Sequence, residues 1–280
     1  MFKHVVVAAH FASASSRLLE EMDELRRLGT EEITLVDVLL SHHSETQDEV
    51  HRQDAHRRLE EEKSVLEEAG FHVNAELRTG QPAHELSTIA RAAHASLILV
   101  GSRGEGRFRE FLRGSTVLQL IRKTSTPTLI EPVGGGSRRV SGRGFRSLLL
   151  GTDFSESCYE AERHAAELAG SAEKVVLCHV LEDDIVDAMG ENAARADAEK
   201  RLAALADQFA NVKDRLVTRI EYGNPSRVLA AVAEEEGSTM MVIGKRGRSP
   251  IRELMLGSTA QNVVRRATQS VLMVPRASLI

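Results

Sequence analysis

Gly101, Gly104 and Gly114 lead into Ser115 and Thr116, and Gly244, Gly247 and Gly257 lead into Ser258 and Thr259. Each set follows a short apolar run, Leu97-Ile98-Leu99-Val100 or Met240-Met241-Val242-Ile243. The spacing between copies is constant, since 244 − 101, 247 − 104 and 257 − 114 all equal 143. These residue types suit an anion. Glycine tolerates φ > 0 and lets the backbone come close to a ligand. The free N–H groups at a helix start attract phosphate. The pattern therefore predicts a strand, a glycine loop and a phosphate-binding helix start, twice over. The alternative is a pair of turn-and-cap sets that serve the backbone alone. Lys245, Arg246 and Arg248 supply cations beside the second loop. They are expected to be exposed, either as phosphate partners or as a solvated rim.

The repeat extends beyond the glycines. Gly80 and Pro82 fall on Gly223 and Pro225, Leu86 on Leu229, Arg103 on Arg246, and Pro132 on Pro275. Residues 33–38 align with 175–180 at an offset of 142. A period this long means two domains rather than a solenoid. A chain of 280 residues has room for both. The division is expected at 1–133 and 145–280, joined by a Gly/Ser/Arg linker over 134–144 of the flexible, solvated kind.

Composition narrows the class. Hydrophobic residues make up 42% and charged residues 28%, as in an ordinary globular protein. A formal net charge of −5 argues against a non-specific nucleic-acid binder. No apolar stretch approaches the ~20 residues needed to span a bilayer. The apolar opening at residues 5–9 is too short for a signal sequence and reads as a first strand. The cysteines, Cys158 and Cys178, are expected as buried small residues in a cytoplasmic protein.

The elements that must position the glycines recur in one order. Strands are expected at 5–9, 33–38, 72–78, 97–100 and 128–131, and again at 148–151, 175–180, 216–221, 240–243 and 271–274. Between them lie helices at 15–28 or 157–169 and at 48–68 or 191–209. A third helix opens at Pro82 or Pro225, and a last one at Ser115 or Ser258. Asn224 should cap the helix that opens at Pro225. Strands that are apolar throughout and alternate with helices predict a parallel α/β sheet covered on both faces. In such a sheet the ligand lies beyond the C-terminal strand ends, at the topological switch point. With the order 3-2-1-4-5, the loop after strand one faces the glycine loop after strand four. In the second half that loop is Gly151-Thr152-Asp153-Phe154-Ser155. Asp153 could accept ribose hydroxyls, hold a phosphate-bound Mg²⁺, or cap the helix near Ser157.

With the G-x-x-G-x₉-G-[ST] signature, the strand-one Asp and this strand order, nearly all of both halves resembles the universal stress proteins in their tandem form. The resemblance implies two doubly wound, five-stranded, adenine nucleotide alpha hydrolase-like sheets. It implies ATP, or AMP or ADP, as ligand, with Mg²⁺ as a companion of the nucleotide. It also implies a stress-response sensor or regulator acting on unidentified protein partners. Strands 128–131 and 271–274 would pair within the chain as a pseudo-dimer, with further self-association open. In the second half, Asp153 matches the ribose-side position, Val180 and Ile243 the adenine side, and Gly244, Gly247, Gly257, Ser258 and Thr259 the phosphate cradle. In the first half, Val38, Val100, Gly101, Gly104, Gly114, Ser115 and Thr116 keep the pattern, but His10 replaces the Asp (153 − 143 = 10). Imidazole is a poor Mg²⁺ ligand. The two sites are therefore expected to be unequal, the first binding more weakly or without metal.

Nothing in the sequence assembles a catalyst. Neither half holds a P-loop, and no residue stands out to position water at a γ-phosphate. Slow ATP hydrolysis or nucleotidyl transfer on the same scaffold is the second reading, and a nucleotide-free interaction module the third. His42, His43, His51 and His56 fit no tight zinc motif. Phe108, Phe111 and Leu112, with Ile251, Leu254 and Met255, form short apolar faces, either a nucleotide-sensitive lid or ordinary packing.

Overall fold

The computed structural model describes residues 1–9, 22–40, 45–101, 115–132, 145–247 and 256–276, with the backbone alone at 45–49. The chain divides into two units, Met1–Ser137 and Arg138–Ile280. The expected linker, the apolar faces between the second and third glycines, His42 and His43 lie outside the described residues.

Unit 1 contains β1 (His4–Ala8), β2 (Glu32–Leu39), α1 (Glu45–Glu68), β3 (His72–Thr79), α2 (Pro82–Ala92), β4 (Leu97–Gly101), α3 (Ser115–Lys123) and β5 (Thr128–Glu131), with residues 22–27 helical before β2. Unit 2 opens with β6 (Ser147–Thr152), α4 (Tyr159–Ala169), β7 (Lys174–Leu181), α5 (Asp183–Met189) and α6 (Glu191–Ala206). A 3-10 stretch (Asp207–Arg215) leads to β8 (Leu216–Tyr222), α7 (Pro225–Glu235), β9 (Met240–Gly244), α8 (Ser258–Arg266) and β10 (Ser270–Val274). Within unit 1 the strands run β3-β2-β1-β4-β5, and within unit 2 β8-β7-β6-β9-β10, the expected 3-2-1-4-5 in both. Every pairing inside a unit is parallel.

The inner strands have unbroken apolar runs because both of their faces are covered. Val5 to Val7 of β1, Leu149 and Leu150 of β6, and Met241 and Val242 of β9 are all fully buried. Each such side chain is worth about 1.5–3 kcal/mol relative to exposure. The outer strands β3 and β8 are only half-buried, and they mix polar with apolar residues accordingly. The helices follow this layering. α1 packs on β2 and β3, α4 on β6, β9 and β10, and α6 on β7 and β8. The last two helices of each unit pack against one another.

Local chemistry sets the helix ends. Asn224 Oδ1 accepts the Arg227 N–H at 3.3 Å, with Pro225 next in the chain, which is the expected cap. Gln81 holds that place in unit 1 and makes no side-chain cap. Two features depart from the sequence expectation. The helix expected over 191–209 ends at Ala206 and tightens into the 3-10 stretch, interrupted by non-helical geometry at Phe209 and Val212. The short helix α5 had no sequence signal, being seven residues with three aspartates and little periodicity. Gly190, at φ 80°, turns the chain from α5 into α6 in a conformation that favours glycine.

Candidate functional site at the mouth of unit 2

The site forms where β6 and β9 lie side by side and their chains leave in opposite directions, at the switch point of the sheet. The Asp153 Oδ1 accepts the Ser155 N–H at 2.9 Å, closing a tight side-chain turn. Helix α4 begins later, with Cys158 at its N-cap position and no side-chain cap. Asp153 therefore does not cap that helix, and of its three sequence-level roles this one is closed. Its other oxygen faces the glycine loop. A Cβ added at Gly247 would stand 2.5 Å from Asp153 Oδ2. The loop after the first strand of this unit thus meets the loop after its fourth, as the topology requires.

The three glycines serve three different purposes, and none of them takes positive φ. The left-handed turn anticipated from their identity is absent here, and close approach is the operative reason. At Gly244 a Cβ would stand 3.1 Å from the Arg246 carbonyl, 3.2 Å from the Ser157 carbonyl and 3.2 Å from Cys158 Sγ. This glycine is crowded by the protein's own packing, and a Cβ would have to displace its neighbours by a few tenths of an ångström. Gly247 yields its space to the Asp153 carboxylate. At Gly257 the nearest described atoms lie at 3.5 Å from an added Cβ, ordinary contact. A side chain there would instead project beside the start of α8.

Gly257 is the N-cap of that helix at φ −60° and ψ 146°, and it makes no side-chain cap; among the described residues no other side chain is recorded as capping it. The contrast with the Asn224-capped α7 is direct, because the first-turn N–H groups of a helix have no partner within it. Ser258 is exposed and Thr259 half-buried on this first turn. The loop itself is held by backbone bonds. Lys245 donates its N–H to Val274 at 2.7 Å, and its carbonyl accepts the Gly257 N–H at 3.1 Å. Of the two apolar residues expected on the adenine side, Val180 is next to last in β7 and 8% exposed, and Ile243, the strand partner of Gly151, is 4% exposed.

Electrostatics correct one expectation. Lys245 is 8% exposed and is no solvated rim residue. Burial, aided by the neighbouring Arg246, pushes its ammonium down to about 8. Arg246 is half-buried, and Arg248 lies outside the described residues. Cys158, beneath the glycine loop, is pushed up to about 12 by burial and then by Asp153. It and Cys178 are free, buried thiols.

Four residues around Asp153 had not been singled out from the sequence. Thr152 Oγ1 donates to Glu162 Oε1 at 2.6 Å and accepts the Phe154 N–H at 2.9 Å. His179 Nδ1 meets the Thr152 carbonyl at 2.8 Å, and its ring centroid lies 4.5 Å from that of Phe154. Burial pushes the Glu162 carboxyl up, a Thr152 hydrogen bond opposes this, and the Asp153 charge adds to it. A His within the apolar run of β7 and an acid on the buried face of α4 were the available signals.

Unit 1 presents part of the same set. Val38 and Val100 are buried, at 7% and 4% exposure. Gly101 is half-buried, Ser115 is exposed and Thr116 half-buried at the start of α3. His10, Gly104 and Gly114 lie outside the described residues.

A model of the universal stress protein family matches residues 1–132 and again residues 144–275. The chain belongs to the universal stress protein family. Another universal stress protein, from Mycolicibacterium smegmatis, is 27% identical over 239 residues, spanning 81% of this chain and 78% of the relative. One from Methanocaldococcus jannaschii is 24% identical over 155 residues, 47% of this chain and 96% of its own length. Among solved structures, a universal stress protein from Archaeoglobus fulgidus matches with a TM-score of 0.77 at 23% identity, over 98% of this chain and 97% of that one. This last likeness establishes the fold. In this universal stress protein the described residues include no helix long and apolar enough to cross a membrane.

Proposed function

We propose that this universal stress protein binds an adenine nucleotide at the mouth of unit 2 and reports adenylate state to a protein partner, without catalysing turnover. The observation that carries the reading is the uncapped start of α8, facing Asp153 across Gly247 at the switch point of the sheet. The phosphates would lie on the first-turn N–H groups, with the Ser258 hydroxyl as an additional donor. A helix start alone contributes only ~0.3–2 kcal/mol to an anion. Several N–H groups and the Lys245 charge would have to act together. The ribose hydroxyls would donate to Asp153, and the adenine would lie against Val180 and Ile243.

Mg²⁺ would arrive with the phosphates. It takes oxygen ligands and keeps several waters. Asp153 has the right donor type, but one of its oxygens already accepts the Ser155 N–H. The ribose role therefore suits Asp153 better than the metal role. Unit 1, with His10 in the Asp position, would bind more weakly and without metal. Calorimetric titration of the full chain with ATP and with AMP should show two unequal sites. Asp153→Ala should weaken the tighter one. Two identical affinities, or no heat with either nucleotide, would reject the reading.

A further inference from the structure

Asp153 is clamped on both sides. Its predecessor Thr152 is engaged through three hydrogen bonds, and its successor Phe154 stands at φ 57°, a backbone conformation rarely taken by a residue with a side chain. A threonine hydroxyl has one hydrogen, and here it points to Glu162, so the chain of donation runs from the Phe154 N–H through Thr152 to the Glu162 carboxylate. From the next strand, His179 meets the Thr152 carbonyl, and since a carbonyl only accepts, the imidazole proton sits on Nδ1. The same ring rests against Phe154. Glu162 and His179 are 9% and 3% exposed, so this polar set is shielded from water and holds one arrangement.

Position by position, unit 1 has lost the set. Ala9, His10, Ala12 and Leu19 stand where unit 2 has Thr152, Asp153, Ser155 and Glu162, at the 143-residue offset. Asp37 stands where unit 2 has His179, at the 142-residue offset of that strand. Ala9 has no hydroxyl to relay a bond, Leu19 has no oxygen to receive one, and the carboxylate they would have helped to hold is gone as well. An acid that served only to seat α4 on the sheet would have no reason to share its changes with Asp153.

We propose that Thr152, Glu162 and His179 are positioning residues that aim Asp153 at the ribose hydroxyls, giving unit 2 a preference for ribose over deoxy sugars that unit 1 lacks. This rests on the nucleotide reading above. The decisive experiment is calorimetric titration of the full chain with ATP and with 2′,3′-dideoxy-ATP. For the wild type, the tight site should favour ATP by about tenfold, the scale of one hydrogen bond to a charged group. Thr152→Val should erase that preference by weakening ATP alone. Thr152→Ser should restore it, and Glu162→Gln, which keeps an accepting oxygen, should retain most of it. Glu162→Leu, which copies the residue of unit 1, must behave as Thr152→Val does, so the result does not hang on one variant's folding. A general loss of structure would weaken both nucleotides alike and would overturn the proposal. So would a preference that survives in Thr152→Val. If the wild type binds neither nucleotide, both this proposal and the nucleotide reading fall. If it binds ATP, loses it with Asp153→Ala and keeps its sugar preference in Thr152→Val, this proposal alone falls.

Discussion

Units 1 and 2 share a strand order and an apolar sheet interior, and their sequences part company at the loop after the first strand. In unit 2 that loop holds Asp153 against Gly247, backed by Thr152, Glu162 and His179. In unit 1 the matching residues are His10, Ala9, Leu19 and Asp37. Thr152 ends β6 and Asp153 lies just beyond it, while Glu162 and His179 are buried within α4 and β7, and the strand order is the same with either set of residues. The two copies thus share a strand order and differ around the loop where the proposed ligand would lie.

The largest expected effect comes from closing the open helix start. Gly257→Val should weaken ATP at the tight site by roughly a hundredfold, the loss of more than one charge-assisted bond, while leaving the melting temperature nearly unchanged. The matching Gly114→Val should remove only the weak binding event. Calorimetry on both variants would show whether the two sites differ as the sequences do.

Next is a difference in pH response. Burial, reinforced by Asp37, pushes Glu62 of α1 up to about 8, against the opposing Arg58 charge and with a smaller push from Glu61. An unfolded glutamate ionises near 4.5, whereas the folded one keeps its proton. The unfolded chain therefore loses a proton first, and unit 1 should lose stability as pH rises from about 4.5 to about 8. Allowing for partial solvent screening, the loss is roughly 1–3 kcal/mol. Glu62→Gln should flatten the response. Hydrogen exchange resolved by unit is the suitable measurement, since the only tyrosines, Tyr159 and Tyr222, lie in unit 2 and there is no tryptophan.

A smaller effect tests the two loops against each other. Asp153→His should bring the tight site about tenfold closer to the weak one, a loss of one charged hydrogen-bond acceptor. His10→Asp alone should recover less than that, because Ala9 and Leu19 cannot support the new carboxylate. Equal recovery in a two-site titration would break the distinction drawn between the loops. The smallest expected effect concerns the caps. Asn224→Ala should cost about 1 kcal/mol of unit 2 stability. Gln81→Asn should stabilise unit 1 by less, measured by chemical denaturation.

Much of this was legible in the residues. Unbroken apolar strands, Asn224 before Pro225, and the repeated glycines led directly to two parallel sheets and to the place where loops meet. The remainder depended on contacts between residues far apart in the chain. Glu162 and Thr152 are ten positions apart and His179 is a strand away, so no local pattern joins them. Lys245 reads as a surface residue in the sequence and is buried, its backbone tied to Val274 and Gly257, far along the chain. The glycines of unit 2 misled in one respect, for their identity suggested unusual backbone angles, whereas Gly244 and Gly247 give room to neighbours.

That last point bears on how such a protein can change. Gly244 sits in tight packing, so a side chain there would push on the Arg246 and Ser157 carbonyls and on Cys158. Gly257 is under no such obligation, since an added carbon finds only ordinary contact. On the proposed reading, a single replacement at Gly257 would block the nucleotide and leave the strand order intact. One half of a duplicated chain can in this way give up its small molecule in one step while its architecture carries on in other work.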